Sequence, residues 1–322
     1  MMNRFDVFNG DADGICALIQ LRLETPSDTQ LITGVKRDIS LLKQVPANEA
    51  SEVTALDISM AKNLPALNNL LESGVPVTYV DHHDPGTIPE HPQLTHHIHT
   101  ASNTCTSLIV DKLLKGKYRE WALVGAYGDN MLATANALIS KSSLSDNEAQ
   151  QLEKLGVYAN YNGYGASEED LHFYPADLYR HMVQFSSPLA FLNECQSVFE
   201  KLESGYVEDN SKASAINAFS EKTGSRAFML PDEAWARRVS GVFSNALTNQ
   251  DADTANAVIT ERHDGSYLVS IRAPLTNRTG ANELASSFPT GGGRQAAAGI
   301  NALPADQLDA FLAAFHQRYH RS

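Results

Sequence analysis

The chain has 322 residues and carries 25 basic against 38 acidic side chains, a net charge of −13. That length suits two domains better than one core, and 43% hydrophobic with 20% charged residues is the balance of a folded globular protein. The acidity, with no cluster of Lys and Arg, argues against a protein that tracks long nucleic acid by its phosphates, and no apolar run approaches the roughly 20 residues of a membrane span.

Strand-like alternation starts almost at Met1, without the apolar stretch of a signal peptide, so a cytoplasmic location is expected. Cys16, Cys105 and Cys195 have no metal-ligand spacing and read as small core residues in a reducing compartment. In chain order, Arg4 to Phe8 reads as a strand and Ile15 to Glu24 as a helix, then Gln30 to Val35 and Val53 to Leu56 as strands. A helix over Ala61 to Leu71 and a strand over Val75 to Val80 follow. This alternation predicts an α/β fold with a parallel sheet, whose ligands gather at the carboxyl ends of its strands.

From Cys105 to about Ser204 the pattern is mainly helical, with Ser145 and Glu148 spaced as a capping box. A second α/β segment begins near Arg226: a strand to Leu230, a helix over Glu233 to Leu247, and strands over Asn256 to Glu261 and Tyr267 to Arg272. His263-Asp264-Gly265 between those last two strands signals a hairpin. A helix over Ala281 to Ser287, a glycine loop, a short strand and a helix from Ala305 complete the chain. The expected organisation is a catalytic domain over 1–203, a linker over 204–225 and a smaller α/β domain over 226–322, with a cleft between the two domains.

Four motifs are expected at strand ends: Asn9-Gly10-Asp11-Ala12-Asp13-Gly14, Leu56-Asp57-Ile58-Ser59, Asp81-His82-His83-Asp84, and Gly128-Asp129-Asn130 after the segment Glu120 to Tyr127. One such Asp is usually a turn residue or a helix cap. Together they bring carboxylates and a His pair to one sheet edge. Carboxylate oxygens with a single imidazole suit Mn²⁺ or Mg²⁺, and the thiolates that would favour Zn²⁺ are absent. A pair of such ions activates water and stabilises charge on a phosphoryl group.

The ordered set G-D-A-D-G, L-D-I-S, D-H-H, G-D-N resembles the DHH phosphoesterase superfamily, which includes RecJ-like exonucleases, oligoribonucleases and cyclic-dinucleotide phosphodiesterases. The resemblance implies that Asp57 bridges two metals, that Asp11 binds one of them, and that Asp13, His82 and Asp129 bind the other. It implies that His83 faces the scissile phosphate and that Asp81 orients the His pair. Where the family pattern has His, this chain has Asn9, whose amide oxygen is a weaker, uncharged ligand.

The run Gly291-Gly292-Gly293-Arg294-Gln295-Ala296-Ala297-Ala298-Gly299, after the strand ending at Arg272, is similar to the substrate-binding domain that accompanies DHH domains in oligoribonucleases. It marks Arg272, Gly291, Gly292, Gly293 and Arg294 as substrate-binding candidates, with the glycines presenting N–H groups to an anion. Arg294 replaces the family's His and could clamp a 5′-phosphate or pair with guanine O6 and N7. Tyr158, Tyr161 and Tyr164 read as loop packing between domains rather than base-stacking, and His96, His97 and His99 as a solvated loop. Arg237-Arg238 reads as a surface pair.

The expected protein is a two-metal phosphodiesterase that splits short linear oligonucleotides, above all 5′-phosphorylated dinucleotides such as pGpG, with no membrane partner and a homodimer left open. The rivals are a single-strand exonuclease, a cyclic-dinucleotide phosphodiesterase, and a degenerate member that binds nucleotide without cutting it.

Overall fold

The computed structural model describes residues 3–320, and the chain divides into two compact units, Met1–Gly205 and Tyr206–Ser322. In the first unit, strands β1 (Asn3–Phe8), β2 (Gln30–Ile32), β3 (Ala50–Leu56), β4 (Val77–Asp81) and β5 (Leu94–Ile98) form a five-stranded sheet in the order β2-β1-β3-β4-β5. Every pairing in it is parallel. The chain builds outward from β1 to β2, then crosses back to β3 on the other side of β1. The carboxyl ends of β1 and β3 therefore flank the point where strand order reverses, the usual place for a ligand in such sheets.

Two helices enter early: α1 (Ala12–Glu24) and α2 (Met60–Glu72). Alternation along the strands sorts the two faces. Phe5, Val7, Val53, Ala55, Val77 and Tyr79 pack with Leu67, Leu70 and Leu71 of α2, while Phe8 meets Tyr179. The first nine residues of α1, Ala12 to Gln20, are buried, because four of the remaining helices of this unit, the third, fourth, sixth and seventh, pack against it. The remaining helices are α3 (Thr106–Leu113), α4 (Arg119–Gly128), α5 (Leu132–Ile139), α6 (Asp146–Asn162), α7 (Pro175–Met182) and α8 (Pro188–Glu194). The capping box at Ser145 and Glu148 is formed.

Helix α9 (Gln196–Ser214) runs through the boundary between the units, and β6 (Ser220–Lys222) follows within six residues, so 204–225 holds regular structure. The second unit continues with β7 (Ser225–Leu230), α10 (Ala234–Gln250), β8 (Ala255–Glu261), β9 (Tyr267–Arg272), α11 (Ala281–Ser286), β10 (Gly291–Arg294), β11 (Ala297–Leu303) and α12 (Leu308–Arg318). Its six strands order as β10-β11-β9-β8-β7-β6. The β7–β8 pair is parallel and the others are antiparallel, including the expected β8–β9 hairpin. Phe228, Leu230 and Val258 face α10, and Ala257, Ile259, Val269 and Ile271 face α11 and α12.

The structure departs from the sequence-based expectations at several places. Glu120 to Tyr127 is helix, so Gly128-Asp129-Asn130 ends a helix rather than a strand. His96 and His97 lie on the edge strand β5, paired with Tyr79 and Val80, and not in a loop. The glycine run is the edge strand β10, not a loop. Tyr158 and Tyr161 are buried on α6 rather than in a loop, and Arg238 is buried, with its guanidinium on Asp209 at 2.7 Å. Cys16 and Cys105 are buried free thiols and Cys195 is half-buried.

Candidate metal centre and a basic row in the second unit

Asp11 follows β1 and is the N-cap of α1: its Oδ1 accepts the backbone N–H of Asp13 at 3.0 Å and of Gly14 at 3.1 Å. Asp13, in the first turn of the helix, is held from the other side. Its two oxygens accept the backbone N–H groups of Thr106 and Ser107, both at 2.7 Å. These donors are the first residues of α3, so the carboxylate sits at a helix N-terminus, where the macrodipole favours negative charge. The Thr106 hydroxyl donates to Asp57 Oδ1 at 3.0 Å. Thr106 and Ser107 were missed by the sequence reading, although Thr106-Ser107 before the apolar Leu108-Ile109-Val110 is a helix-start signal.

Asp57 directly follows β3 and lies in the left-handed region, at φ +57, a conformation that Asp tolerates better than most residues. At the end of β4, Asp81 is fully buried. Its Oδ1 accepts the His82 backbone N–H at 2.9 Å and lies 2.7 Å from His83 Nδ1, which donates to it. His82 Nε2 lies 3.4 Å from Asp57 Oδ1 and 3.7 Å from Asp129 Oδ2. Asp129 is the C-cap of α4.

Ligand atoms of Asp13, His82 and Asp129 lie within 4.8 Å of one another, and so do those of Asp57, His82 and His83. Three segments from the sheet edge and one helix end thus converge. Asp11 stands in neither group: its Oδ2 is 2.6 Å from the Lys36 ammonium, which is also 3.7 Å from Asp129 Oδ1. Asn9, 4% exposed, turns its Oδ1 to the Asp11 backbone N–H and its Nδ2 to the Lys36 carbonyl, both at 3.2 Å.

The electrostatics state what the cluster lacks. Burial, followed by the charges of Asp13, Asp11, Asp81 and Asp129, drives the Asp57 carboxyl far above the usual carboxylate range. Burial and Asp13 push Asp129 up to about 6, against the pull of Lys36 and His82. Burial pushes Asp11 up as well, but the Lys36 charge and hydrogen bond overcome it and hold Asp11 below its ordinary value. The hydrogen bond to Asp81 raises His83, against its burial. A nest of carboxylates that resist ionisation calls for further positive charge, and hard oxygens beside one imidazole fit a divalent cation of the Mn²⁺ or Mg²⁺ kind.

The second unit carries a separate feature. Arg294 on β10 is opposite Ala297 on β11, which is opposite Arg272 on β9. Directly opposed residues share a face, so the two guanidiniums flank the small Ala297. Arg272 is anchored by Asn245 Oδ1 at 2.9 Å and Ser270 Oγ at 3.0 Å, and its pKa is lowered by burial and by the charge of Arg294. A cavity of about 320 Å³ opens here, lined among others by Asn245, Asn249, Arg272, Arg278 and Ala297. Asn245, Asn249 and Arg278 carried no sequence signal. The glycines serve packing: a Cβ on Gly291 would lie 1.8 Å from the Ala285 carbonyl oxygen, and one on Gly293, at φ +149, would lie 2.5 Å from Ala298 Cα. A Cβ on Gly292 meets nothing within 4 Å.

Residues 221–321 match the DHHA1 domain. No curated protein matches the chain by sequence. Among solved structures, exonuclease RecJ bound to manganese superposes with a TM-score of 0.63 at 16% identity, over 100% of this chain and 91% of that one. RecJ in complex with Mn²⁺ from Thermus thermophilus gives 0.56 at 18%, over 98% of this chain and 52% of that one. The pGpG-specific phosphodiesterase PggH from Vibrio cholerae gives 0.55 at 14%, over 98% and 99%. These likenesses establish the fold. No helix among the described residues is long and apolar enough to cross a membrane.

Proposed function

From a chain with the two-unit DHH-type fold and a C-terminal DHHA1 domain, we propose that this protein is a metal-dependent phosphodiesterase acting on short linear oligonucleotides. Its preferred substrates on this reading are 5′-phosphorylated dinucleotides such as pGpG, hydrolysed to mononucleotides. The observation that carries the reading is the cluster of Asp13, Asp57, His82 and Asp129 beside the strand-order reversal. Its fit to a hard divalent cation supports Mn²⁺ as the ion, as in the manganese-bound RecJ structures. A divalent ion held there supplies Lewis acidity toward a phosphoryl oxygen and acidifies water.

The chain's own residues divide the remaining work. Asp13 is fixed by the α3 N-terminus and Asp57 by Thr106, so the carboxylates are held in place before any ligand arrives. His83 gives Nδ1–H to Asp81, which leaves Nε2 for the substrate, and its raised pKa favours a proton donor toward the phosphate or the leaving oxygen. In the second unit, Arg272 and Arg294 offer paired guanidiniums to an anion, which supports capture of a 5′-phosphate over reading of a base. Net acidity supports a short substrate over a polymer.

The test is purified protein with Mn²⁺ offered pGpG, pApA, cyclic di-GMP and a longer oligonucleotide, with products separated by chromatography. The two linear dinucleotides should be split to mononucleotides, and the cyclic and longer substrates should fall behind by at least about tenfold, about 1.4 kcal/mol of barrier. Preference for the long oligonucleotide would favour an exonuclease instead.

A further inference from the structure

The geometry points to Lys36 as a built-in cation that takes the place of one metal ion, so that the centre binds a single divalent ion through Asp13, Asp57, His82 and Asp129. The inference rests on the metal-dependent reading above and specifies its ion count. Both Asp11 and Asp13 accept hydrogen bonds on each oxygen, but the Asp13 donors are neutral backbone amides whereas Asp11 carries an ammonium. Oδ1 of Asp11 accepts two backbone N–H groups of α1, and its Oδ2 accepts the Lys36 ammonium at 2.6 Å. A divalent ion on that same oxygen, at roughly 2.1 Å, would stand beside a full positive charge with no group between them to screen it.

Lys36 does not arrive there as a loose surface chain. Its backbone N–H donates to the Gly163 carbonyl at 2.8 Å, and its carbonyl accepts Asn9 Nδ2 at 3.2 Å. The ammonium donates to Asn160 Oδ1 at 2.8 Å and lies 5.9 Å from the Tyr164 ring centroid. Two segments, Asn9 just after β1 and 160–164 at the end of α6, therefore fix one cation between Asp11 and Asp129.

Asn9 belongs to the same device. At the position where the resemblance expects an imidazole ligand, an amide uses its oxygen on the Asp11 backbone and its nitrogen on the Lys36 backbone. The side chain that would have held a metal instead clamps the residue that supplies the charge. An ammonium donates hydrogen bonds but accepts no ligand, so it can steady a phosphoryl oxygen without adding a second metal-bound water.

Manganese stoichiometry decides the matter independently of turnover. Chelator-stripped protein is dialysed against Mn²⁺, the bound metal is counted by elemental analysis, and the electron paramagnetic resonance spectrum is recorded. The wild type should hold one Mn²⁺ per chain with the six-line signal of an isolated ion. Asp11→Asn keeps the helix cap and should still hold one ion, because Asp11 is not a ligand. The double variant Asn9→His, Lys36→Met should take up a second ion and show the broadened multiline signal of a coupled pair. Two ions in the wild type, loss of an ion in Asp11→Asn, or a double variant that stays at one would each overturn the inference. If the double variant fails to fold, the wild type and Asp11→Asn decide alone. Failure of the wild type to bind any Mn²⁺ would overturn the metal-dependent reading as well, a result distinct from binding two.

Discussion

Asp129, the C-cap of α4, is 20% exposed at its side chain and has a carboxyl pushed up to about 6 by burial and by Asp13. A carboxyl raised above the ordinary Asp value of about 3.9 makes the folded state bind a proton that the unfolded chain releases. Its ionisation therefore costs metal-free stability, progressively as pH rises from about 4 to about 6, with the full cost present above that window. Asp129→Asn in chelator-treated protein should raise the thermal midpoint at pH 7.5, and the advantage should shrink as pH falls through 6 toward 4. An advantage unchanged across that range would show that the local charge does not set the shift. With Mn²⁺ present the sign should reverse, since the ion now stabilises the carboxylate that the variant lacks.

On the proposed reading, Arg294 bears on the nucleotide rather than on the metal. If its guanidinium joins Arg272 on a 5′-phosphate, Arg294→Ala should lower kcat/KM for pGpG and pApA alike and spare dinucleotides without that phosphate. If it reads guanine, the loss should fall on pGpG alone, by about 1–3 kcal/mol, a typical discrimination for a bidentate contact. Equal values for all three substrates in both proteins would place Arg294 outside the binding event.

At the scale of elements, β10 shows where pattern reading stops. Three consecutive glycines signal a loop because glycine interrupts regular structure, yet here they let an edge strand lie against α11 and β11. Gly291→Ala should destabilise the second unit by about 1–3 kcal/mol, the usual cost of overpacking, while Gly292→Ala should leave the thermal midpoint almost unchanged. Equal effects of the two would mean that the close approach at Gly291 is relieved at no cost.

The carboxylates of β1, β3 and β4 were legible because a parallel sheet delivers its strand ends to one edge, whatever the intervening chain does. Asp129 was legible as a motif but not as a helix end, since Trp121 to Gly128 is buried all round and shows no helical alternation. Strand β5 was hidden by its polar, partly exposed Thr95, His96 and His97. The pairs that remained invisible are nonlocal: Lys36 meets Asp11 across 25 positions and Arg238 meets Asp209 across 29. Neither leaves any periodic trace: Lys36 carried no sequence signal, and Arg238 on its helix read as part of a surface pair.

For the whole molecule, a charge of −13 restricts what it can hold. On the proposed reading, a short substrate needs few phosphate contacts, which a bound ion and a small number of arginines would supply without a basic surface. Turnover of a dinucleotide should accordingly depend only weakly on salt compared with that of a protein releasing many counterions.

On the proposed function, a metal held by the Asp13, Asp57, His82 and Asp129 cluster supports cleavage of a short linear phosphodiester. The most direct test of this is reconstitution of chelator-stripped protein with increasing Mn²⁺, measuring pGpG hydrolysis in the wild type and in Asp57→Ala. The account predicts no turnover without metal, a saturable rise with Mn²⁺ in the wild type, and less than about a tenth of that rate in folded Asp57→Ala at any Mn²⁺ concentration, a loss above about 1.4 kcal/mol. Hydrolysis that persists without metal, or that survives in Asp57→Ala, would contradict it.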